Sequence, residues 1–225
     1  MKRIGMLVAV EIDSVLARYG TPLETKEYRG FSVLTYQNDG YLLYVLNSGA
    51  GQIAAASGVQ FLISELQVEM IVNFGVVGGL TPEMAKSRTC IVERVVHYEF
   101  DTSPIDNCEV GRYLQYPDIY LPATPSLVKR AIELEPSLKP VTCASGDKFV
   151  DTAERKTALH EQFNADICEM EAAAIVLTCD RNNVPCLLIK AVSDSLTGGA
   201  EEFLDALQET SAVCLEVADR IIKEL

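Results

Sequence analysis

Residues 41–77 read YLLYVLNSGAGQIAAASGVQFLISELQVEMIVNFGVV. Two apolar runs, 41–46 and 70–77, bracket a segment, 52–66, that has the length and pattern of a helix. Between the first run and that helix lies Asn47-Ser48-Gly49-Ala50-Gly51-Gln52, a glycine turn. Runs as continuously apolar as 70–77 suit strands buried on both faces, and such strands need helices to cover them. The stretch therefore reads as α/β.

The same alternation continues in both directions. Further strands are expected at 4–10, 90–96 and 186–192, and further helices at 126–134, 153–162, 171–181 and 201–225. The last helix carries Phe203, Leu207, Ala212, Leu215, Val217 and Ile221 in one stripe, with acids opposite. Hairpin-like strands around residues 28–44, turning at Asn38-Asp39-Gly40, add antiparallel pairing. With no repeat and no low-complexity linker, the 225 residues read as a single α/β domain, a central mixed sheet flanked by helices.

Composition excludes several classes of function. A net charge of −13 argues against partners that present phosphate, whether nucleic acid or membrane surface. No apolar run approaches the roughly 18 residues of a membrane span, and the N-terminus MKRIGMLVAVEID lacks a signal-peptide cleavage site. Seven cysteines, odd in number and without a CxxC pair, suggest reduced thiols in a cytoplasm. With only His97 and His160, a histidine-rich metal site is excluded, and neither metal nor cofactor is expected.

Residues 168–175, CEMEAAAI, open a helix with almost no polar side, which should therefore be buried. Carboxylates beside a buried segment are costly unless something pairs with them, so Glu169 and Glu171 must hold something.

Four more stretches fall at junctions of strand and loop, where a rigid scaffold aims side chains into a crevice. SGAG at 48–51 frees backbone N–H groups at a helix start for an anion or polar oxygen, or is a tight turn only. NFGVVGGL at 73–80, which includes Val76 and Gly78, ends a strand in glycines that admit a ligand or form a bulge. SGDKFV at 145–150 presents either Phe149 to a flat base or an ordinary turn with a buried phenylalanine. KAVSD at 190–194 puts Lys190, Ser193 and Asp194 at the end of a core strand, Asp194 being a candidate general acid or a turn cap.

Taken in order, SGAG, NFGVVGGL, SGDKFV, CEMEAAAI and AVSD resemble the purine nucleoside phosphorylase superfamily. The nearest resemblance is to its hydrolytic branch, the 5′-methylthioadenosine/S-adenosylhomocysteine nucleosidases. EMEA followed by SD about twenty residues later is the most specific part. The resemblance implies that Glu171 binds the ribose 2′- and 3′-hydroxyls and that Met170 lies against the sugar. It implies that Asp194 gives a proton or hydrogen bond to purine N7, that Phe149 stacks on the base and that Val150 contacts it through backbone. Gly78 and Ser193 stand beside these groups as further ligand contacts. The chemistry fits, since an ionised carboxylate accepts two hydrogen bonds from a diol and opposes the cation formed as a glycosidic bond breaks.

The chain departs from that family around the nucleophile. Aligning the Ile4-Gly5 start places Asp13 at the acid that activates water, with Glu11 two residues earlier and, in a strand, on the same side. Val76 stands where a small hydroxyl residue is usual, and Lys190 where an arginine is usual. A phosphorylase would need a cluster of cations, and Asn73 occupies one arginine position of the bacterial phosphorylases. Hydrolysis of a purine nucleoside, of the 5′-thio-substituted adenosine type, leads. A phosphorylase and a nucleoside-binding protein with an impaired water site are the alternatives. The resemblance also implies a homodimer. In it, residues 110–117 of a neighbouring subunit, with Tyr113 or Tyr116, complete the 5′ pocket, and the Ala and Val residues near 52–60 form a contact face.

Overall fold

The computed structural model describes residues 1–28 and 30–225; Arg29, within the expected hairpin region 28–44, lies outside the described residues. In chain order the elements are β1 Lys2–Val8, α1 Ile12–Tyr19, β2 Glu24–Tyr28, β3 Phe31–Asn38, β4 Tyr41–Asn47 and α2 Gln52–Leu66. They continue with β5 Met70–Gly79, β6 Thr89–His97, α3 Ser103–Asp106, β7 Tyr120–Pro122, α4 Pro125–Leu134 and β8 Lys139–Ser145. The chain ends with α5 Ala153–Phe163, β9 Ile167–Glu169, α6 Ala172–Asn182, β10 Cys186–Asp194 and α7 Ala200–Ile222. Among the described residues no helix is long and apolar enough to cross a membrane.

The ten strands among the described residues join one mixed sheet. Its centre is parallel, with β4, β1, β5 and β10 side by side. On one flank β4, β3 and β2 form the expected antiparallel meander. On the other, β10 pairs with β6, β6 with β8, β8 with β9, and β9 returns to β5, so these strands close into a ring. Every residue of β5 is buried, as its unbroken apolar run requires, and α7 packs against β5 and β10. The α6 helix, with Ala172, Ala173, Ala174, Ile175 and Val176 all buried, lies against α2, so the apolar reading of CEMEAAAI holds.

The first strand ends earlier than expected. It stops at Val8, and the chain turns at Glu11, the N-cap position of α1. Glu11 and Asp13 are therefore not neighbours on one face of a strand; Asp13 sits in the first turn of a helix. At the other end of the site, the pairing of β10 with β5 steps from Val192 opposite Val77 to Asp194 opposite Gly78. Ser193 is the extra residue of this bulge, and bulges re-aim the side chains beside them. The parallel strands β5 and β10 end together, β1 having stopped several residues short of them, and the cleft outside their carboxyl ends is where an α/β sheet offers a ligand site.

Candidate active site

Glu11, Val76, Gly78, Phe149, Val150, Met170, Glu171, Ser193 and Asp194 line one cavity at these strand ends, with Ala50, Lys148, Cys168, Glu169 and Phe203. Motifs separated by up to 183 positions in sequence, from Glu11 to Asp194, meet in one cleft. Lys190 is buried and reaches the cleft through the acids it faces. Asp13 does not reach it. Helix α1 turns that side chain out to solvent, so of the two acids expected at this end of the site only Glu11 lines the cleft.

Glu11 is 5% exposed, and both its oxygens are held by backbone. The Val76 N–H donates to Oε1 at 3.0 Å and the Val10 N–H to Oε2 at 3.0 Å. Gly75 makes room for it: a Cβ there would lie 2.7 Å from Oε1. The glycine of NFGVV thus admits a carboxylate of the protein itself.

The opening acids of α6 hold different things. Glu169 accepts from the N–H groups of Glu171 and Ala172 at 2.9–3.0 Å and pairs with Lys190 Nζ at 3.3 Å. It caps the buried helix start. Glu171 faces the cavity, and its Oε1 accepts from the Gly51 N–H at 2.8 Å. Burial, then the neighbouring Glu169 charge, push the Glu171 carboxyl up to about 7, against the pull of Lys190. Burial works against the Lys190 ammonium, yet Glu169, Glu171 and Glu11 outweigh it and raise its pKa.

Two amides where this turn enters α2 are taken by the protein's own acids. Gly51 serves Glu171, and the Gln52 N–H donates to Asp147 Oδ1 at 2.7 Å. Gln52 also binds Ser145 Oγ, Met170 O and the Ala174 N–H, which fixes α2 to α6 behind the EME turn. An unbroken helical pattern at 52–66 gave no sign of this role.

Asp194 is 1% exposed and has two partners. Ser193 Oγ lies 2.8 Å from Oδ1, and Lys156 Nζ donates to Oδ2 at 2.5 Å. Sequence reading missed Lys156. Its only signal is position, because it shares the buried stripe of α5 with Leu159 and Phe163. Phe149 and Phe203 meet edge to face at 5.3 Å and wall the opposite part of the cavity.

Residues 4–225 match the family described as Phosphorylase superfamily. The chain belongs to that superfamily. It is 29% identical over 221 residues to a 5′-methylthioadenosine/S-adenosylhomocysteine nucleosidase of Haemophilus ducreyi, covering 93% of this chain and 94% of that one. It is 29% identical to an aminodeoxyfutalosine nucleosidase of Helicobacter pylori, over 96% of this chain and 97% of the other. The solved futalosine hydrolase of Helicobacter pylori superposes with a TM-score of 0.93 at 25% identity, covering 100% of this chain and 98% of that one.

Within the superfamily's fold, this cleft is strongly acidic. Four carboxyl groups line it, from Glu11, Glu169, Glu171 and Asp194. Among the described residues its one lining cation is Lys148, itself paired with Glu99 at 2.6 Å. Tyr113 and Tyr116 are tied within their own chain. Tyr113 stacks on Phe100 at 4.1 Å and meets His97 Nδ1, while Tyr116 donates to Asp180 of α6. The exposed apolar residues of that region are Ile105 and Leu114.

Proposed function

We propose that the protein hydrolyses the N-glycosidic bond of a purine nucleoside, with 5′-thio-substituted adenosines of the methylthioadenosine and adenosylhomocysteine type as substrates. The observation that carries this reading is the charge of the cleft. Glu11, Glu171 and Asp194 converge there, while Lys190 and the Gly51 and Gln52 amides are engaged by Glu169, Glu171 and Asp147. An anionic cleft opposes a phosphate nucleophile and favours the cationic sugar of a dissociating glycosidic bond.

Each residue then has a part. Glu171 accepts the ribose 2′- and 3′-hydroxyls, and Met170 packs on the sugar. Phe149 stacks on the base, with Val150 and Gly78 offering backbone beside it. Asp194, oriented by Ser193, gives its proton to N7 as the bond between C1′ and N9 breaks. The electron pair of that bond leaves with the base. Glu11 takes a proton from the water that attacks C1′, and Lys190 and Val76 frame that side of the cleft. The carboxylates lining the cleft stabilise the oxocarbenium-like sugar.

The partner is a second copy of the chain. Ile53 and Leu114 are exposed apolar side chains on the segments expected to meet in a homodimer, and its mass in solution tests this. All seven cysteines are free, which suits a reducing cytoplasm.

The test is base release from methylthioadenosine, adenosylhomocysteine and aminodeoxyfutalosine, each with and without phosphate. Release that is independent of phosphate and leaves free sugar is expected. Release that requires phosphate and yields a sugar 1-phosphate makes the protein a phosphorylase. Tight binding of all three without release makes it a binding protein.

A further inference from the structure

Lys156 is fully buried on α5, yet it does not line the cavity. A lysine out of water is costly unless each of its N–H groups has a partner. Here all three do. Nζ donates to Asp194 Oδ2 at 2.5 Å, to Ser195 O at 2.6 Å and to Gly198 O at 3.0 Å. Two of these acceptors belong to the loop that follows Asp194, so one ammonium fixes both the acid and the chain leaving it.

Among the described residues no other cation stands against Asp194. From β10 it meets the Ser193 hydroxyl, and from β5 the backbone of Gly78. From β9 it meets the Cys168 thiol, which burial pushes up to about 12 and so leaves uncharged. From the α7 side, Glu202 is held on the Ser195 N–H and Oγ. Glu169 is paired with Lys190.

We propose that Lys156 is the positioning residue that sets the acid strength of Asp194. Its ammonium neutralises the carboxylate that Asp194 becomes once its proton has passed to the departing base. This role rests on the nucleosidase reading above. The Asp194 O–H bond breaks as the N7–H bond forms, and the negative charge left in a dry pocket lies 2.5 Å from Nζ. Without that cation a buried carboxyl clings to its proton and donates poorly.

The experiment compares wild type with Lys156→Gln, which can still donate to the loop carbonyls but carries no charge, and with Lys156→Arg. Nucleoside hydrolysis is followed across pH, and a 4-nitrophenyl riboside, whose aglycone leaves without a proton, serves as the second substrate. In Lys156→Gln the nucleoside kcat at its own optimum falls about tenfold or more, on the scale of weakened general-acid catalysis, while KM stays within about twofold. The alkaline limb of kcat moves up by about one pH unit or more, because the isolated carboxyl holds its proton longer. Lys156→Arg keeps the charge and returns the limb to within about half a unit of wild type. The riboside loses less than about threefold, since it needs no proton. Should Lys156→Gln not fold, Lys156→Met is read in the same way. An unmoved limb with equal losses on both substrates overturns the role, because a merely structural lysine gives that pattern. A wild type that releases no base from any nucleoside overturns the reaction itself, and the role with it.

Discussion

The backbone N–H of Val76 donates to Glu11 Oε1 at 3.0 Å, joining the end of β5 to the start of α1. With the Val10 N–H on the other oxygen, this carboxylate is fixed in the cleft before any substrate arrives. Asp13, in the first turn of α1, points to solvent. Glu11→Gln should therefore lower turnover by at least about 100-fold, the scale for losing a general base, and Asp13→Asn should stay within about twofold. Steady-state base release by both variants checks this. The reverse ranking would return the role to Asp13.

Gly75 is the counterpart of that placement. A Cβ at this position would meet Glu11 Oε1 at 2.7 Å and lie 3.6 Å from Lys190 Nζ. The carboxylate can yield only by giving up its two backbone donors. Gly75→Ala should fold yet lose about tenfold or more in kcat, since small misplacement of a catalytic group is expensive. Turnover equal to wild type would show that Glu11 need not sit there.

Asp194→Asn keeps the size of the side chain and the Ser193 contact but has no proton to hand over. Turnover should drop at least about 100-fold while nucleoside binding, measured by calorimetry, persists. The amide also leaves Lys156 facing a neutral partner. Thermal stability should change little, because the acid that donates is already neutral and Lys156 Nζ keeps the Ser195 and Gly198 carbonyls.

The fold was legible where one periodicity filled an element. The helix expected at 52–66 is α2 to the residue, and the runs at 41–46, 70–77, 90–96 and 186–192 lie inside β4, β5, β6 and β10. Short or polar elements were not. The α1 helix buries only Ser14 and Val15, β9 has three residues, and β8 mixes Pro140, Thr142 and Ser145 into its run. Missing α1 had a consequence, because reading on as a strand put Asp13 on the face of Glu11. The site motifs were legible as strand ends, whereas Lys156 and Gln52 were not. Both lie inside helices, and only the tertiary packing gives them acids and amides to hold.

Glu171 links activity to pH. Its carboxyl sits at about 7 against an ordinary 4.5, and the diol needs it ionised. The kcat/KM should therefore fall as pH drops through about 7, and Glu171→Gln should lose both that limb and the preference for ribo- over 2′-deoxynucleosides. Stability runs the other way. Below pH 4.5 both folded and unfolded chains hold this proton; as pH rises to about 7 the unfolded chain ionises first, so the fold is progressively penalised. Above that the penalty is complete, at most about 3 kcal/mol. Thermal melts of Glu171→Gln should exceed wild type at pH 8 and converge with it near pH 5. Parallel melting curves across that range would remove the strain from Glu171.

Val76 is the remaining departure, and its geometry makes a sharp test. Its N–H already serves Glu11, and its side chain lines the cavity at 9% exposure without offering a hydrogen bond. A water beside Glu11 then has fewer partners to aim it at C1′. Val76→Ser leaves the backbone contact intact and adds a hydroxyl next to the acid. Losing two buried methyl groups and gaining one polar group should cost about 1–2 kcal/mol of stability, small enough for the protein to remain folded. Methylthioadenosine hydrolysis should rise several-fold, toward about tenfold, which corresponds to about 1.4 kcal/mol of barrier. Asp13→Glu, added to it, should change nothing further, because helix α1 carries that position away from the cleft. Single-turnover base release by wild type, both single variants and the double measures this directly. A folded Val76→Ser protein that is no faster means that Glu11 alone aims the nucleophile. A double variant faster than Val76→Ser brings position 13 back into the reaction.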